Sequence, residues 1–188
     1  MSFRAVEDTD LITRLRRQGD VEAFNLLVSR WEKRVFNYLL RLTASSDDAL
    51  DLTQDTFLKA WQNITKLDDA ARFGPWLYRI AHNEAYSGFR KRRPETAAED
   101  LGPGDRAEME GAGRPAFPMD LTLAVASALE GLNPEQREAV VLKVYEGFKF
   151  EEMSEILGCP VSTVKSRLYT AMDLLKTRLT PITARGAR

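Results

Sequence analysis

The chain has 188 residues, of which 44% are hydrophobic and 29% charged, and its formal net charge is −1. It contains no run of about 18 apolar residues and no apolar secretion signal at the N-terminus, so we expect neither membrane insertion nor export. One cysteine and one histidine exclude an internal disulfide and a metal site built from these residue types, and they suit a reducing compartment such as the cytoplasm.

The first half of the sequence predicts consecutive helices. Asp20 is a typical N-cap residue, and apolar residues then recur every three or four positions, which predicts one buried stripe. The members of this stripe are Val21, Phe24, Leu27, Val28, Trp31, Val35, Tyr38, Leu39 and Leu42. Ser45 and Ser46 predict the start of the next helix, which we expect to run to about Gln62.

The helix that ends near Gln62 has two different faces. One face can contribute to a core, and it consists of Leu52, Thr56, Phe57, Ala60 and Trp61. The other face follows helical spacing and mixes acids, an amide and a leucine, namely Asp51, Asp55, Leu58 and Gln62. Such a row is either a solvated surface or a docking surface for a partner helix, and the spacing alone leaves both open.

Gly74-Pro75 predicts the start of a further helix, which ends before Pro94. One row of this helix combines aromatic, basic and amide side chains, namely Trp76, Arg79, Asn83, Tyr86 and Arg90, with Lys91, Arg92 and Arg93 extending it. Cations hold phosphates, aromatic rings stack on bases and an amide reads a base edge, so the row is suited to nucleic acid. A basic helix end that only complements the helix dipole is the alternative for its last residues.

Residues 94–119 differ in composition from both flanks. They are rich in Pro, Gly and Ala, and they carry six acidic residues against two basic ones. This composition predicts a flexible acidic linker between a domain at residues 1–93 and a second domain at residues 120–188. No β alternation occurs, so the expected fold class is all-α, with two small helical bundles joined by the linker.

The second domain begins with a predicted apolar face formed by Leu121, Val125, Leu129 and Leu132. Asn133-Pro134-Glu135-Gln136 has the pattern of a capping box. The helix it opens is expected to place Val140, Val141 and Val144 inside and to end at Gly147.

Two short amphipathic helices follow, joined by a tight turn at Gly158-Cys159-Pro160. This pattern is typical of a helix-turn-helix, whose second helix enters the major groove of DNA. Its predicted open side carries Lys165, Ser166, Arg167 and Tyr169.

Enzyme signatures are missing from the sequence. There is no phosphate-binding loop, no Ser/His/Asp constellation and no glycine fingerprint, so we expect no catalysis, no cofactor and no small-molecule substrate. His82 and Cys159 are assigned no chemistry. A metal-dependent hydrolase built on Asp51 and Asp55 is a third alternative, and it predicts metal-dependent turnover.

These segments together resemble the extracytoplasmic-function class of bacterial sigma factors, the two-domain subunits that direct RNA polymerase to promoters. The segment DVEAFNLLVSRW is similar to region 2.1, DALDLTQDTFLKAW to region 2.2, and FGPWLYRIAHNEAYSGFRKRR to regions 2.3 and 2.4. The segment LNPEQREAVVLKVYEGFKFEEMSEILGCPVSTVKSRLYTAMDLL is similar to region 4. Within the class the chain looks closest to the envelope-stress sigma factors.

The resemblance implies a role for each surface. The region 2.2 helix would bind core RNA polymerase through Asp51, Leu52, Gln54, Asp55, Leu58 and Gln62. The region 2.3–2.4 helix would open and read the minus-ten element through Trp76, Arg79, Asn83, Tyr86, Ser87, Arg90 and Lys91. The helix-turn-helix would read the minus-thirty-five element through Phe150, Glu151, Ser162, Thr163, Lys165, Ser166, Arg167 and Tyr169.

The resemblance therefore implies a cytoplasmic, non-catalytic stress-response sigma factor whose partners are core RNA polymerase, promoter DNA and an anti-sigma factor. The linker would thread through the RNA exit path of the polymerase. The alternative is a conventional helix-turn-helix regulator that is not a polymerase subunit. That alternative explains the helix-turn-helix but leaves the Asp51 row and the Arg79 row without a purpose.

The chain departs from the family pattern at several positions. Leu50 stands where an acid is usual, and Ser87 with Gly88 replaces a more usual Asp. Lys149 occupies a position where a Ser or Thr cap is common. Ser162 replaces a common Gly and Thr170 a common Arg, and the second change removes a phosphate contact from the recognition helix.

Overall fold

A computed structural model of the protein describes residues 6–92, 125 and 127–183, with side chains at 6–87, 125 and 127–179. Within these ranges every regular element is helical and no strand occurs, so the predicted all-α fold class is confirmed. The helices form two compact units, which are considered one at a time. The predicted linker at residues 94–119 lies outside the described residues.

The first unit contains four α-helices. They are α1 (Asp8–Gln18), α2 (Val21–Thr43), α3 (Ser46–Asn63) and α4 (Phe73–Arg92), with 3₁₀ turns at Ile64–Lys66 and Ala70–Arg72 between the last two. The side chains of Leu11, Ile12, Leu27, Tyr38, Leu39, Phe73, Leu77 and Tyr78 are buried in its core. The rings of Tyr38 and Tyr78 lie 5.0 Å apart between centroids and join α2 to α4.

Two of the three predicted helix starts in this unit are confirmed. The carboxylate of Asp20 accepts the N–H of Ala23 at 3.0 Å, and the hydroxyl of Ser45 accepts the N–H of Asp48 at 3.3 Å. These bonds satisfy backbone donors that have no partner within the helix. The bond from Ala23, with the neighbouring Arg14 guanidinium, lowers the pKa of the Asp20 carboxyl.

Two residues of the predicted core faces are exposed. Val21 is exposed because it is the first residue of α2 and lies beyond the packed part of that helix. Trp61 packs the edge of its ring against Phe24, at 5.0 Å between centroids, but the rest of its indole is open to solvent. The remaining stripe of α2 is buried or half-buried as its periodicity predicts.

Helix α4 begins at Phe73, so Pro75 is its third residue and not its first. The reason is the preceding 3₁₀ turn, which the Asp69 carboxylate caps by accepting the N–H of Ala71 at 2.9 Å and which runs directly into α4. Pro75 is tolerated there because first-turn N–H groups have no helical acceptor.

The start of α4 is held against Trp31 of α2. A Cβ atom on Gly74 would lie 2.8 Å from the indole ring, so only glycine permits this approach. The indole N–H donates to the Asp8 carboxylate of α1 at 2.8 Å, and the ring meets Phe73 edge to face at 5.8 Å. Trp31 therefore fixes the position of α4 relative to α1 and α2.

The second unit contains helical residues 127–130, then α5 (Pro134–Val140), α6 (Phe150–Leu157) and α7 (Val161–Thr183). The predicted capping box is present, since the Asn133 side chain accepts the N–H of Gln136 at 2.8 Å and the Gln136 side chain accepts the N–H of Asn133 at 3.3 Å. Leu132 is buried and Val125 and Leu129 are half-buried, while Leu121 lies outside the described residues.

The prediction that Val144 faces the core is wrong. Helix α5 continues into a π-helical turn, Val141–Tyr145, in which the N–H of Glu146 bonds the carbonyl of Val141 at 3.1 Å. The wider turn shifts the register, so Leu142 is buried and Val144 is 59% exposed. The chain leaves this turn through Gly147, whose φ of +77° is a conformation that favours glycine.

Candidate nucleic-acid and docking interfaces

The outer face of α3 brings most of its predicted members together in solvent. Asp51, Gln54, Asp55, Leu58 and Gln62 are exposed, and Leu52 is half-buried. Leu58 is 55% exposed although it is apolar, and Leu50, on the same helix, is also exposed. Two leucines exposed on one helix give a partner protein an apolar surface to bury.

The inner face of α3 holds this surface in place. Thr53 and Thr56 are buried, and their hydroxyls donate to the carbonyls of Ala49 and Leu52, each at 2.6 Å. The bonds satisfy the hydroxyls locally, so these threonines can join the core. On the rim, Lys59 forms an ion pair with Glu84 of α4. Periodicity had identified Thr56 but not Thr53, because a polar residue carries no hydrophobic signal.

The outer row of α4 is open along the described part of the helix. Arg79 and Asn83 are exposed, while Trp76, Tyr86 and Ser87 are half-buried. The side chains of Arg90 and Lys91, which were also predicted to bind DNA, lie outside the described residues. The row thus offers a cation, an amide and two partly open aromatic rings in sequence along one helix.

Sequence reasoning gave His82 no role, but its ring lies against that of Tyr86. The ring centroids are 4.5 Å apart and the planes are tilted by 40°. This contact supports one face of the phenol ring and leaves Tyr86 only half-buried. His82 therefore positions an aromatic residue of the predicted minus-ten row.

The helix-turn-helix is formed by α6, the turn at residues 158–160, and α7. Gly158 adopts φ +61° and ends α6, and the hydroxyl of Ser154 donates to the carbonyl of Cys159 at 2.6 Å. At the start of α6 the N–H of Lys149 donates to the Glu152 carboxylate at 2.7 Å. That is half of a capping box, because a lysine side chain has no acceptor to complete it.

Helix α7 has a buried seam formed by Val164, Leu168, Ala171 and Leu175. Ser162, Ser166 and Tyr169 lie opposite this seam and are exposed. Lys165 and Arg167 are two residues apart, which places them about 200° apart around the helix, at its two edges. The centre of the exposed face of α7 is therefore uncharged, and the cations flank it.

Arg167 does not lie on the open side as predicted. Its guanidinium forms an ion pair with Glu135 of α5 at 2.8 Å and donates to the Cys159 sulfur at 3.6 Å. Arg167 and Thr163 are both half-buried. Helical spacing could not reveal this orientation, because Glu135 is distant in sequence.

Phe150, at the start of α6, supports the other edge. The ammonium groups of Lys143 and Lys165 lie 4.8 Å and 5.2 Å from the centre of its ring. Such cation–π contacts orient a lysine without neutralising it. Phe150 is half-buried and Glu151 beside it is exposed.

Two further observations concern the described part of the chain. It contains no group of three or more His, Cys, Asp or Glu side chains arranged to hold a metal ion. Among its helices, none combines the length and the apolar character that crossing a membrane requires.

Known families match both parts of the chain. Residues 27–95 match Sigma-70 region 2, and residues 122–175 match Sigma-70, region 4. A relative named ECF RNA polymerase sigma-E factor from Haemophilus influenzae is 34% identical, over 93% of this chain and 96% of its own. The protein of that name from Escherichia coli K12 is 33% identical, over 95% of this chain and 97% of its own. RNA polymerase sigma-H factor from Pseudomonas aeruginosa is 31% identical, over 94% and 95% respectively.

Solved structures are similar as well. The sigma factor RpoE, in complex with the anti-sigma factor NepR from Bartonella quintana, has a TM-score of 0.69 and 27% identity, covering 85% of this chain and 98% of its own. CnrH, in complex with the cytosolic domain of CnrY, has a TM-score of 0.68 and 28% identity, covering 93% and 97%.

Proposed function

Because the chain belongs to the extracytoplasmic-function family of RNA polymerase sigma factors, we propose that it binds core RNA polymerase, directs it to specific promoters and helps to melt the DNA. It acts by recognition, and the polymerase carries out the chemistry, so the chain is not itself an enzyme. Its place of action is the cytoplasm, where the polymerase and the promoters are. The first domain spans residues 1–93, the linker 94–119 and the second domain 120–188.

The outer face of α3 is the proposed polymerase-docking surface, and it is the observation that carries the proposal. Asp51, Asp55 and Gln62 lie around the exposed Leu58, and together they offer an apolar anchor within a polar, acidic rim. Anchors of this kind supply affinity, and the surrounding charges select the partner. A conventional regulator has no use for such a face.

The outer row of α4 is the proposed reader of the minus-ten element. Trp76 and Tyr86 offer ring faces for unstacked bases, Arg79 offers a charge for phosphate, and the Asn83 amide reads a base edge. Stacking on a protein ring replaces the stacking that a base loses when it leaves the duplex. The row therefore favours opened DNA over closed DNA, which is how binding is coupled to melting.

Helix α7 is the proposed reader of the minus-thirty-five element. Ser162, Ser166 and Tyr169 occupy the centre of the face that enters the major groove, and Lys165 stands at its edge. Phe150 and Glu151 begin the supporting helix, and Phe150 holds Lys165 in place through its ring.

Regulation by an anti-sigma factor is part of the proposal. Two similar solved structures carry partner chains, and one of them pairs a sigma factor with a protein named as an anti-sigma factor. A protein that covered the outer face of α3 would block the same surface that the polymerase needs. Stress-induced release of such a partner would then switch transcription on.

The docking surface can be tested with Asp55→Arg. We expect its affinity for core RNA polymerase to fall by about 100-fold or more. The acidic face is proposed to meet a cationic surface of the polymerase, and an arginine opposed to that surface costs several kcal/mol. Affinity is measured by titrating labelled protein with core polymerase. The matched control is Glu32→Arg, the same reversal at an exposed position of α2. Equal assembly of Asp55→Arg and the control would show that the docking face lies elsewhere.

A further inference from the structure

Arg167 at the edge of α7 is already engaged within the second unit. Its guanidinium lies between the Glu135 carboxylate, at 2.8 Å, and the Cys159 sulfur, at 3.6 Å. Only 25% of the Arg167 side chain is exposed, whereas its neighbour Ser166 is exposed. The Arg167 guanidinium is therefore partly shielded from solvent and is paired with a carboxylate.

Glu135 is well placed to keep that partner role. It is the second residue of α5 and lies within the capping box that Asn133 and Gln136 form. A carboxylate in the first turn of a helix is favoured by the helix dipole. The side chain of Glu135 is nevertheless 53% exposed, so its charge remains accessible from solvent.

In the proposed complex with DNA, the edge of α7 that holds Arg167 approaches one DNA strand. The major groove is about 12 Å wide and a helix with its side chains is about 10–12 Å across, so a helix in the groove brings each edge near one phosphate backbone. Lys165 at the opposite edge contacts the ring of Phe150, which leaves its charge intact. The two edges therefore differ in the net charge they offer to phosphate.

We infer that Glu135 is a positioning residue that competes with DNA phosphate for Arg167, and so sets the strength and the salt dependence of upstream-element binding. The inference rests on the proposed function of α7 as a reader of duplex DNA. In the wild-type protein the Glu135–Arg167 pair brings no net charge to the backbone. Removing the carboxylate charge frees a cation that a phosphate can engage.

The expected effect has a defined signature. A newly available cation steepens the dependence of log affinity on log salt by about 0.9. With that difference in slope, a fourfold rise in salt lowers the affinity of the variant relative to wild type by about 3.5-fold. We therefore expect Glu135→Gln to bind more tightly than wild type at low salt, with an advantage that shrinks about 3.5-fold between about 50 and 200 mM salt.

The experiment uses the full chain assembled with core RNA polymerase. Duplex promoters are first selected from a random library by the wild-type holoenzyme, and binding is then measured across a salt series. Glu130→Gln is the matched control, because it removes the same charge from an exposed residue of the same unit. The double variant Glu135→Gln/Arg167→Gln tests whether the gain passes through Arg167. Melting temperatures of all variants report on folding.

The inference requires a steeper salt slope in Glu135→Gln, absent from Glu130→Gln and abolished in the double variant. It is overturned if Glu135→Gln keeps the wild-type slope or binds more weakly at every salt concentration. If Glu135→Gln melts at lower temperature, the same salt series on Glu135→Ala decides by the same criterion. Failure of the wild-type holoenzyme to select any promoter would instead contradict the proposed function.

Discussion

The two proposed DNA-reading helices, α4 and α7, are built in different ways. The outer row of α4 offers partly open aromatic rings with a cation and an amide between them. Helix α7 offers an uncharged centre, with its two cations at the edges, each supported by a residue from another helix. Rings suit bases that have left the stack, whereas edge cations suit the backbones of an intact duplex. On the proposed assignment, one chain carries one reader for opened DNA and one for closed DNA.

The largest effect expected on this comparison comes from Tyr86→Ala. Loss of one stacking partner costs about 1–3 kcal/mol per base, or roughly 5- to 150-fold in the stability of the open complex. Permanganate reactivity of unpaired thymines in the holoenzyme complex measures the opening. Tyr86→Phe keeps the ring and is expected to open DNA normally. If Tyr86→Ala instead weakens binding to closed duplex by the same factor, the division between the two helices fails.

Gly74→Ala tests how α4 is held. The new Cβ would lie 2.8 Å from the indole of Trp31, so the start of α4 has to move, at a cost of about 1–3 kcal/mol in the free energy of unfolding. We expect a lower denaturant midpoint and less promoter opening, with upstream duplex binding unchanged. Trp31→Phe removes the clashing ring atoms. Gly74→Ala should therefore reduce promoter opening less when it is added to Trp31→Phe than when it is added to the wild type. A Gly74→Ala protein of wild-type stability would show that Trp31 does not set the position of α4.

The smallest expected effect is on the pH dependence of stability, and it distinguishes the helix cap of the first unit from that of the second. The pKa of Asp20 is lowered from 3.8 in the folded protein, so its cap stabilises the first unit above that pH. As pH falls below about 3.8, through the folded pKa, this stabilisation is lost. The second unit uses the neutral Asn133, whose cap does not titrate. In acid melts, Asp20→Asn should therefore flatten the pH dependence of the wild type. An unchanged pH dependence in Asp20→Asn would show that Asp20 is not its source.

Local signals in the sequence predicted much of this architecture. Asp20, Ser45 and the Asn133 capping box each mark a helix start that the structure contains. A cap acts within one turn of its own residue, so neighbouring letters suffice to identify it. The exposed row of α3 followed in the same way from helical spacing.

Other features depend on context that spacing does not carry. Val144 was placed inside because a regular helix was assumed, but it lies within a π-helical turn whose wider register moves it outward. Arg167 was placed on the open side because its partner, Glu135, is far away in the sequence. The approach of Gly74 to Trp31 likewise joins two helices that only the fold brings together. Such long-range contacts decide where a functional side chain points.

The most direct test of the central claim is transcription from a promoter library by core RNA polymerase, with and without this protein. We expect initiation at a defined set of promoters to require the wild-type protein and to be lost with Asp55→Arg. The contradictory result is sequence-specific duplex binding by the protein alone, with no polymerase assembly and no protein-dependent initiation. That outcome would identify a conventional helix-turn-helix regulator.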